Sequence, residues 1–142
     1  MDIALQNSVW VTSPEYAGWL LKRGFHWRKL WKRRWVALHG AELVYMDKEP
    51  TLENGSSLTM TKVLINPSTA IEENDIDGNT LGFMVHINDG KSPVWCLRAD
   101  SFVDKRNWLT RLNHVIAIVR WLDDYEKVRV LGLGGTGIVY EL

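Results

Sequence analysis

Between residues 16 and 98 apolar and polar residues trade places every one or two positions, in short runs broken by turn-forming residues, which is the period of strands. Residues 17–23 give a first strand and 32–38 a second, separated by a loop over 24–30 that opens at Gly24. His39-Gly40-Ala41-Glu42 makes a tight connection to a third strand at 43–46, so the first three strands form an antiparallel meander. Pro50 and Asn54-Gly55 mark 47–57 as a loop. Further strands are expected at 58–61, 69–72 and 81–87, with a turn at 75–79 before the last of these. Asn88-Asp89-Gly90 is a hairpin turn that returns the chain as a seventh strand at 93–98.

The period then changes. Phe102, Trp108, Leu109, Leu112, Val115, Ile116, Val119 and Leu122 recur near 3.6 residues, predicting a helix over 100–121 that starts at Asp100 or Ser101. Lys105 interrupts the apolar stripe and is expected to point outward, and Asp104 suits the helix's positive end. The expected fold is mainly β: a barrel of seven antiparallel strands capped by one C-terminal α-helix, with Trp108 as the plug. Residues 1–15 show no clear period apart from an apolar stretch at 9–11, and read as an N-terminal arm.

At 142 residues the chain has material for one cored domain. Eight Trp imply that several are structural. The single Cys96 excludes an internal disulfide and, within Val94-Trp95-Cys96-Leu97, reads as a buried thiol suited to a reducing, cytoplasmic setting. No apolar run is long enough to span a bilayer, so membrane contact would be peripheral. The start lacks the basic and apolar regions of a secretory signal.

Charge changes the picture. The chain is formally neutral, yet Lys22, Arg23, Arg28, Lys29, Lys32, Arg33 and Arg34 crowd into 22–34, and the nearest acids are Glu15 and Glu42. Such a local cation cluster fits one compact anionic target. Residues flanking a hairpin loop are neighbours, so Lys22 approaches Lys32 and Arg34, and alternation sends Arg33 to the other side. Three cations at a barrel mouth can cage closely spaced phosphates, Arg34 by a forked contact and the lysines as point charges. Phe25, Trp27 and Leu30 share the loop, where rings entering the interface beside headgroup-binding charges suit an anionic bilayer. A solvated basic face, with Trp19, Trp31 and Trp35 in the core or at its rim, is the plainer alternative.

These residues also carry a resemblance. Gly18-Trp19-Leu20-x-Lys22-Arg23-Gly24, then Trp31-Lys32-x-Arg34-Trp35-x-x-Leu38, then Trp108 midway along one helix, resemble a pleckstrin homology (PH) domain over 16–122. The opening is similar to that of the Akt/RAC family of kinases. The resemblance implies binding of membrane phosphoinositides or soluble inositol phosphates through Lys22, Lys32 and Arg34, with Arg23 and Lys29 secondary. It also implies a third-strand tyrosine, for which Tyr45 is the candidate, with Met46 beside it.

The tail is a second signal. Gly132, Gly134, Gly137 and Val139 give G-x-G-x-x-G-x-V, and Tyr125-Glu126-Lys127-Val128 precedes it. This resembles the glycine-rich loop that opens a protein kinase domain, whose glycines bring backbone amides to the ATP phosphates while the valine covers the adenine. It implies that 123–142 is a flexible, truncated kinase start. The parent protein would then be a serine/threonine kinase using ATP and Mg, which the PH domain recruits or inhibits by intramolecular contact. The fragment itself has no catalytic residues and needs no cofactor. A glycine-rich end with accidental similarity is the alternative, and the connection after 122 is shorter than in the Akt type.

Other functions find little support. The patch is too compact for an extended nucleic-acid backbone and the helix has no basic face. His26, His39, His86 and His114 show no metal spacing. Asp47, Glu49, Glu53, Glu72, Glu73, Asp75 and Asp77 read as ordinary solvated acids in turns, without the defined partner that acid–base catalysis requires. A protein-interaction or autoinhibitory module without selective lipid binding remains the competing reading.

Overall fold

The computed structural model describes residues 14–24 and 30–134. Seven strands form one antiparallel sheet: β1 (Tyr16–Arg23), β2 (Trp31–His39), β3 (Glu42–Met46), β4 (Thr61–Leu64), β5 (Ala70–Glu72), β6 (Gly82–His86) and β7 (Trp95–Arg98). Their order across the sheet is β4-β3-β2-β1-β7-β6-β5. One helix, α1 (Phe102–Gly134), follows. The seven-strand, one-helix architecture is the one expected from the pattern.

Strand alternation builds two apolar layers. Leu20, Val36, Leu38, Leu43, Phe83, Val85, Trp95 and Leu97 face inward and meet Trp108, Leu112, Val115 and Ile116 of α1. Trp108 is fully buried, with Tyr16 edge-on at 4.7 Å between ring centroids. The outer face of β2 and β3 carries a smaller cluster of Ala37, Val44 and Met46, onto which Leu58 and Met60 pack. That packing corrects one expected strand. The alternation at 58–61 is genuine burial, but the chain joins the ladder only at β4, three residues later, opposite Glu42–Tyr45. Ser101 caps α1, its Oγ accepting the Asp104 amide at 3.1 Å.

Three further expectations are corrected. Lys105 is buried, because its Nζ reaches across α1's first turns to donate to the carbonyls of Glu73 and Thr80. Asp75 is no solvated acid but a buried carboxylate. It accepts the amides of Asp77 (2.9 Å) and Asn79 (2.8 Å) on Oδ1 and the Arg98 Nε on Oδ2. Gly82 leaves room for it: a Cβ there would lie 2.6 Å from Asp75 Oδ2. Thirdly, α1 does not end near Leu122. It continues to Gly134, so 123–134 is helical.

Candidate functional site

The cation-rich segment forms the β1–β2 hairpin. The Gly24 amide donates to the Leu30 carbonyl at 2.9 Å and closes the base of the loop. Lys29, Phe25 and Trp27 fall within 25–29 and lie outside the described residues. Above the loop base the register pairs Lys22 with Lys32 and Leu20 with Arg34. Cross-strand partners share a face, so Lys22, Lys32 and Arg34 all lie on the inward face at the open end of the barrel. Arg23 pairs with Trp31 and belongs to the opposite face. On that face Arg98 lies over Trp31 (3.8 Å to the ring centroid) and Arg33 over Trp19 (4.7 Å). Arg23 therefore lies on the other face of β1 from the Lys22 cluster.

The third strand's register is settled by the turn at Gly40, whose φ of 60° gives a two-residue connection between His39 and Glu42. Tyr45 consequently pairs with Val36 and faces inward with Lys22 and Arg34, whereas Met46 pairs with Trp35 on the outer face. Trp95 of β7 completes the floor, edge-on to Tyr45 at 5.1 Å. Lys22 Nζ sits 4.6 Å from the Tyr45 centroid and 5.3 Å from that of Trp95, and the Arg34 guanidinium is 5.6 Å from Tyr45. Two cations thus share one aromatic floor, attracted to its π faces.

Lys22 is 5% exposed. Among the described residues its ammonium contacts rings but no carboxylate and no hydrogen-bond acceptor. Desolvation, and then repulsion from Arg34, lower its pKa from the ordinary lysine value. Lys32, by contrast, is exposed at the strand's end. Arg34 donates to Asp47, which is largely exposed and directly follows β3. The site is therefore an inward cation cluster with an aromatic floor and one acid at its rim. Chemically it can hold a compact polyanion: a ligand oxygen would give Lys22 the acceptor it lacks and would compete with Asp47 for Arg34.

Trp95 and Asp47 were not singled out from the sequence. Both were accessible through strand geometry, Trp95 by alternation with Leu97 and Asp47 by extending the 39–42 turn back along β2 and β3. Cys96, on the far face of β7, is buried, and desolvation raises its pKa. That is a packing thiol, in agreement with the sequence. No group of three or more His, Cys, Asp or Glu that could hold a metal occurs among the described residues. Nor is any described helix long and apolar enough to cross a membrane.

These features define a barrel whose helix closes one side while the β1–β2 hairpin forms a basic mouth. The chain belongs to the PH domain family, which matches it over residues 14–117. The solved structure of the Slm1 PH domain in complex with phosphoserine is 14% identical, with a TM-score of 0.57, covering 73% of this chain and 96% of that one. The C-terminal PH domain of pleckstrin in complex with D-myo-Ins(1,2,3,5,6)P5 is 19% identical, TM-score 0.55, covering 72% and 95%. The human PH domain of oxysterol binding protein-related protein 11 is 18% identical, TM-score 0.60, covering 78% and 88%. At such identities the likeness is one of fold. No curated protein sequence matches the chain.

Proposed function

We propose that this chain is a phosphoinositide- and inositol-phosphate-binding module that brings an attached protein to anionic membranes. The observation that carries this reading is the inward convergence of Lys22, Lys32 and Arg34 over Tyr45, with Lys22 buried and lacking an acceptor. The Lys22 side chain is largely buried and its ammonium meets only aromatic rings, so an incoming anion would supply the acceptor it lacks. The structural neighbours add support: one is a pleckstrin PH domain in complex with an inositol pentakisphosphate, and another is the Slm1 PH domain in complex with inositol-4-phosphate. Electrostatic capture at the mouth, followed by shallow insertion of the β1–β2 loop through Phe25 and Trp27, is the mechanism we assign.

Sedimentation with vesicles that each carry one phosphoinositide tests this, with phosphatidylserine vesicles as the control. Selective binding that is lost in Arg34→Ala is the expected result. No binding to any anionic vesicle at low salt overturns it, and equal binding to every anionic vesicle reduces the site to a non-selective patch.

The kinase context is a finer part of the proposal and rests on the similarity of 125–140 to a kinase opening. Gly132 and Gly134 lie within α1, which counts against a nucleotide loop formed by this chain, while Gly137 and Val139 lie outside the described residues. A reading frame continuing into a lysine-bearing third kinase strand would support the kinase parent and its use of ATP and Mg. A frame without one would remove that part and leave the lipid site standing.

A further inference from the structure

The helix α1 outlasts the barrel that it caps. Val119 packs on the core at the end of the inward row, and Arg120 beside it donates to the carbonyls of Pro67 (2.9 Å) and Thr69 (3.0 Å). Past that anchor the ion pairs are internal to the helix: Lys127 with Asp123 at 3.0 Å and Arg129 with Glu126 at 3.1 Å. An unsupported helical stretch shorter than about 15 residues is marginal in water. Gly132 and Gly134 weaken this one further.

The same stretch carries an apolar seam. Ile118, Trp121 and Tyr125 are exposed, Trp121 by 62% and Tyr125 by 50%, and the Trp121 and Tyr125 rings stack at 5.5 Å. Val128 follows. Steps of three, four and three residues are the a and d positions of a heptad, which share one line along a helix. By helical periodicity that line lies roughly 130° around α1 from the core-facing row of Trp108, Leu112, Val115 and Val119. A single apolar side chain in water needs no explanation, but a contiguous aromatic seam does.

The positions flanking the seam select its occupant. In parallel paired helices, the residue just before one a position (g) meets the residue five places later (e) on the other copy. Here Ala117 would meet Leu122, apolar on apolar, and Asp124 would meet Arg129, acid on base. Two-fold symmetry makes each match twice. Leu122 is exposed, and Asp124 enters none of the ion pairs among the described residues. An antiparallel pair sets g against g and e against e, and loses both matches. A bilayer fits worse: Arg120, Lys127 and Arg129 are balanced by Asp123, Asp124 and Glu126, whereas an interfacial helix needs a basic polar face. Because the seam turns more than a right angle from the core row, two barrels stand outside the paired helices and not between them.

We propose that a second copy of this chain covers the seam, α1 pairing with α1 in parallel over residues 117–129. The seam spans about two heptads, short for a coiled coil, so the pair forms reversibly. A pair carries two cation mouths, and two linked sites hold a surface more tightly than one. That consequence rests on the lipid reading above; the pairing itself does not.

Sedimentation equilibrium of the full chain tests it, with circular dichroism checking that each variant is folded. The chain should pass from monomer to dimer as concentration rises. Trp121→Glu should weaken association about 30-fold, as loss of a central aromatic anchor does. Asp124→Arg and Arg129→Asp should each weaken it about 5-fold, because each sets like charges face to face. Mixing the Asp124→Arg protein with the Arg129→Asp protein should restore association, since only the mixed pair matches both charges. A chain that stays monomeric at ~1 mM overturns the proposal. So does a dimer indifferent to Trp121→Glu, or a mixture that associates no more tightly than its components. Phosphatidylserine vesicles that bind the unaltered chain but not Trp121→Glu would assign the seam to lipid and overturn it as well.

Discussion

Lys22 and Asp75 are both buried ions of a small barrel, held in opposite ways. Asp75 has two backbone amides and the Arg98 guanidinium around its carboxylate, and a glycine opposite to make the room. Burial alone would raise its pKa, but the Asn79 and Asp77 amides and Arg98 outweigh burial and hold it below the ordinary aspartate value. Lys22 has two aromatic faces, a repelling Arg34, and no acceptor among the described residues. A charge whose bonding is complete holds a fold together, and one whose bonding is incomplete stands ready for something that has yet to bind. The contrast between these two ions is what supports placing the proposed binding mouth at the Lys22 end of the barrel.

Breaking the satisfied ion should have the larger effect on stability. Arg98→Ala leaves Asp75 buried with its amides but without its countercharge, and should cost about 3 kcal/mol. Denaturant unfolding measures this, with no specific loss of anion binding per folded molecule. Gly82→Ala should be comparably damaging, since its Cβ would meet the Asp75 carboxylate, whose position three donors fix. If Arg98→Ala were silent in stability but weakened inositol phosphate binding, the roles assigned to the two ions would be reversed.

Removing the unsatisfied ion should separate stability from function. Lys22→Met keeps the stem's length and removes a charge whose contacts among the described residues are the Tyr45 and Trp95 rings and a repelling Arg34. Binding of a soluble inositol phosphate should weaken about 30-fold while unfolding free energy rises by about 1 kcal/mol. Arg34→Ala should weaken binding similarly, without that gain, because Arg34 is partly exposed and already paired with Asp47. Isothermal calorimetry and denaturant melts on the same samples check both halves. A Lys22→Met protein that binds normally would remove Lys22 from the site.

Much of this contrast was legible in the sequence on one side and hidden on the other. The convergence of Lys22, Lys32 and Arg34 followed from alternation and from a hairpin around 24–30, both of which are local. The side taken by Tyr45 was also within reach, because a two-residue turn after His39 fixes every later pair of β2 and β3. Asp75 and Lys105 were different. Their burial depends on α1 and on strands distant in sequence: Lys105 finds its acceptors at Glu73 and Thr80, and Asp75 its guanidinium at Arg98. A charged residue in a turn reads as solvated until the elements that cover it are placed. The end of α1 was missed for the converse reason. Glycines at 132 and 134 weaken a helix without forbidding it, so a glycine-rich string was a poor stop signal.

The two ions should also titrate on opposite limbs. Asp75 has a lowered folded pKa, so its contribution to stability is complete above the ordinary aspartate range and is lost as pH falls through the lowered value. Lys22 also has a lowered folded pKa, but for a base that means the charged form is the strained one. Stability should therefore rise as pH passes that lowered value and level off at the ordinary lysine value. Anion binding restores the proton to Lys22, so affinity should decline over the same alkaline interval, by less than in Lys22→Met because a neutral amine still fills the place. Calorimetry in two alkaline buffers of different ionisation enthalpy should register proton uptake on binding, absent in Lys22→Met. Without such uptake, Lys22 is already fully charged in the free protein and is not the poised group.

The smallest effect belongs to Asp47, which sits between the two cases. It gives Arg34 a partner, but an exposed one, and exposed ion pairs contribute about 1 kcal/mol at most. An arriving phosphate must displace that carboxylate from the guanidinium and also meets its negative charge at the rim of the mouth. Asp47→Asn should therefore strengthen inositol phosphate binding about 3-fold at low salt, with the gain shrinking as salt is raised, and should leave stability almost unchanged. Arg34→Ala together with Asp47→Asn should not show the full gain, since part of it requires Arg34 to be freed. Were Asp47→Asn to weaken binding instead, Asp47 would be orienting Arg34 toward the ligand, and the rim acid would belong with the satisfied set that Asp75 represents.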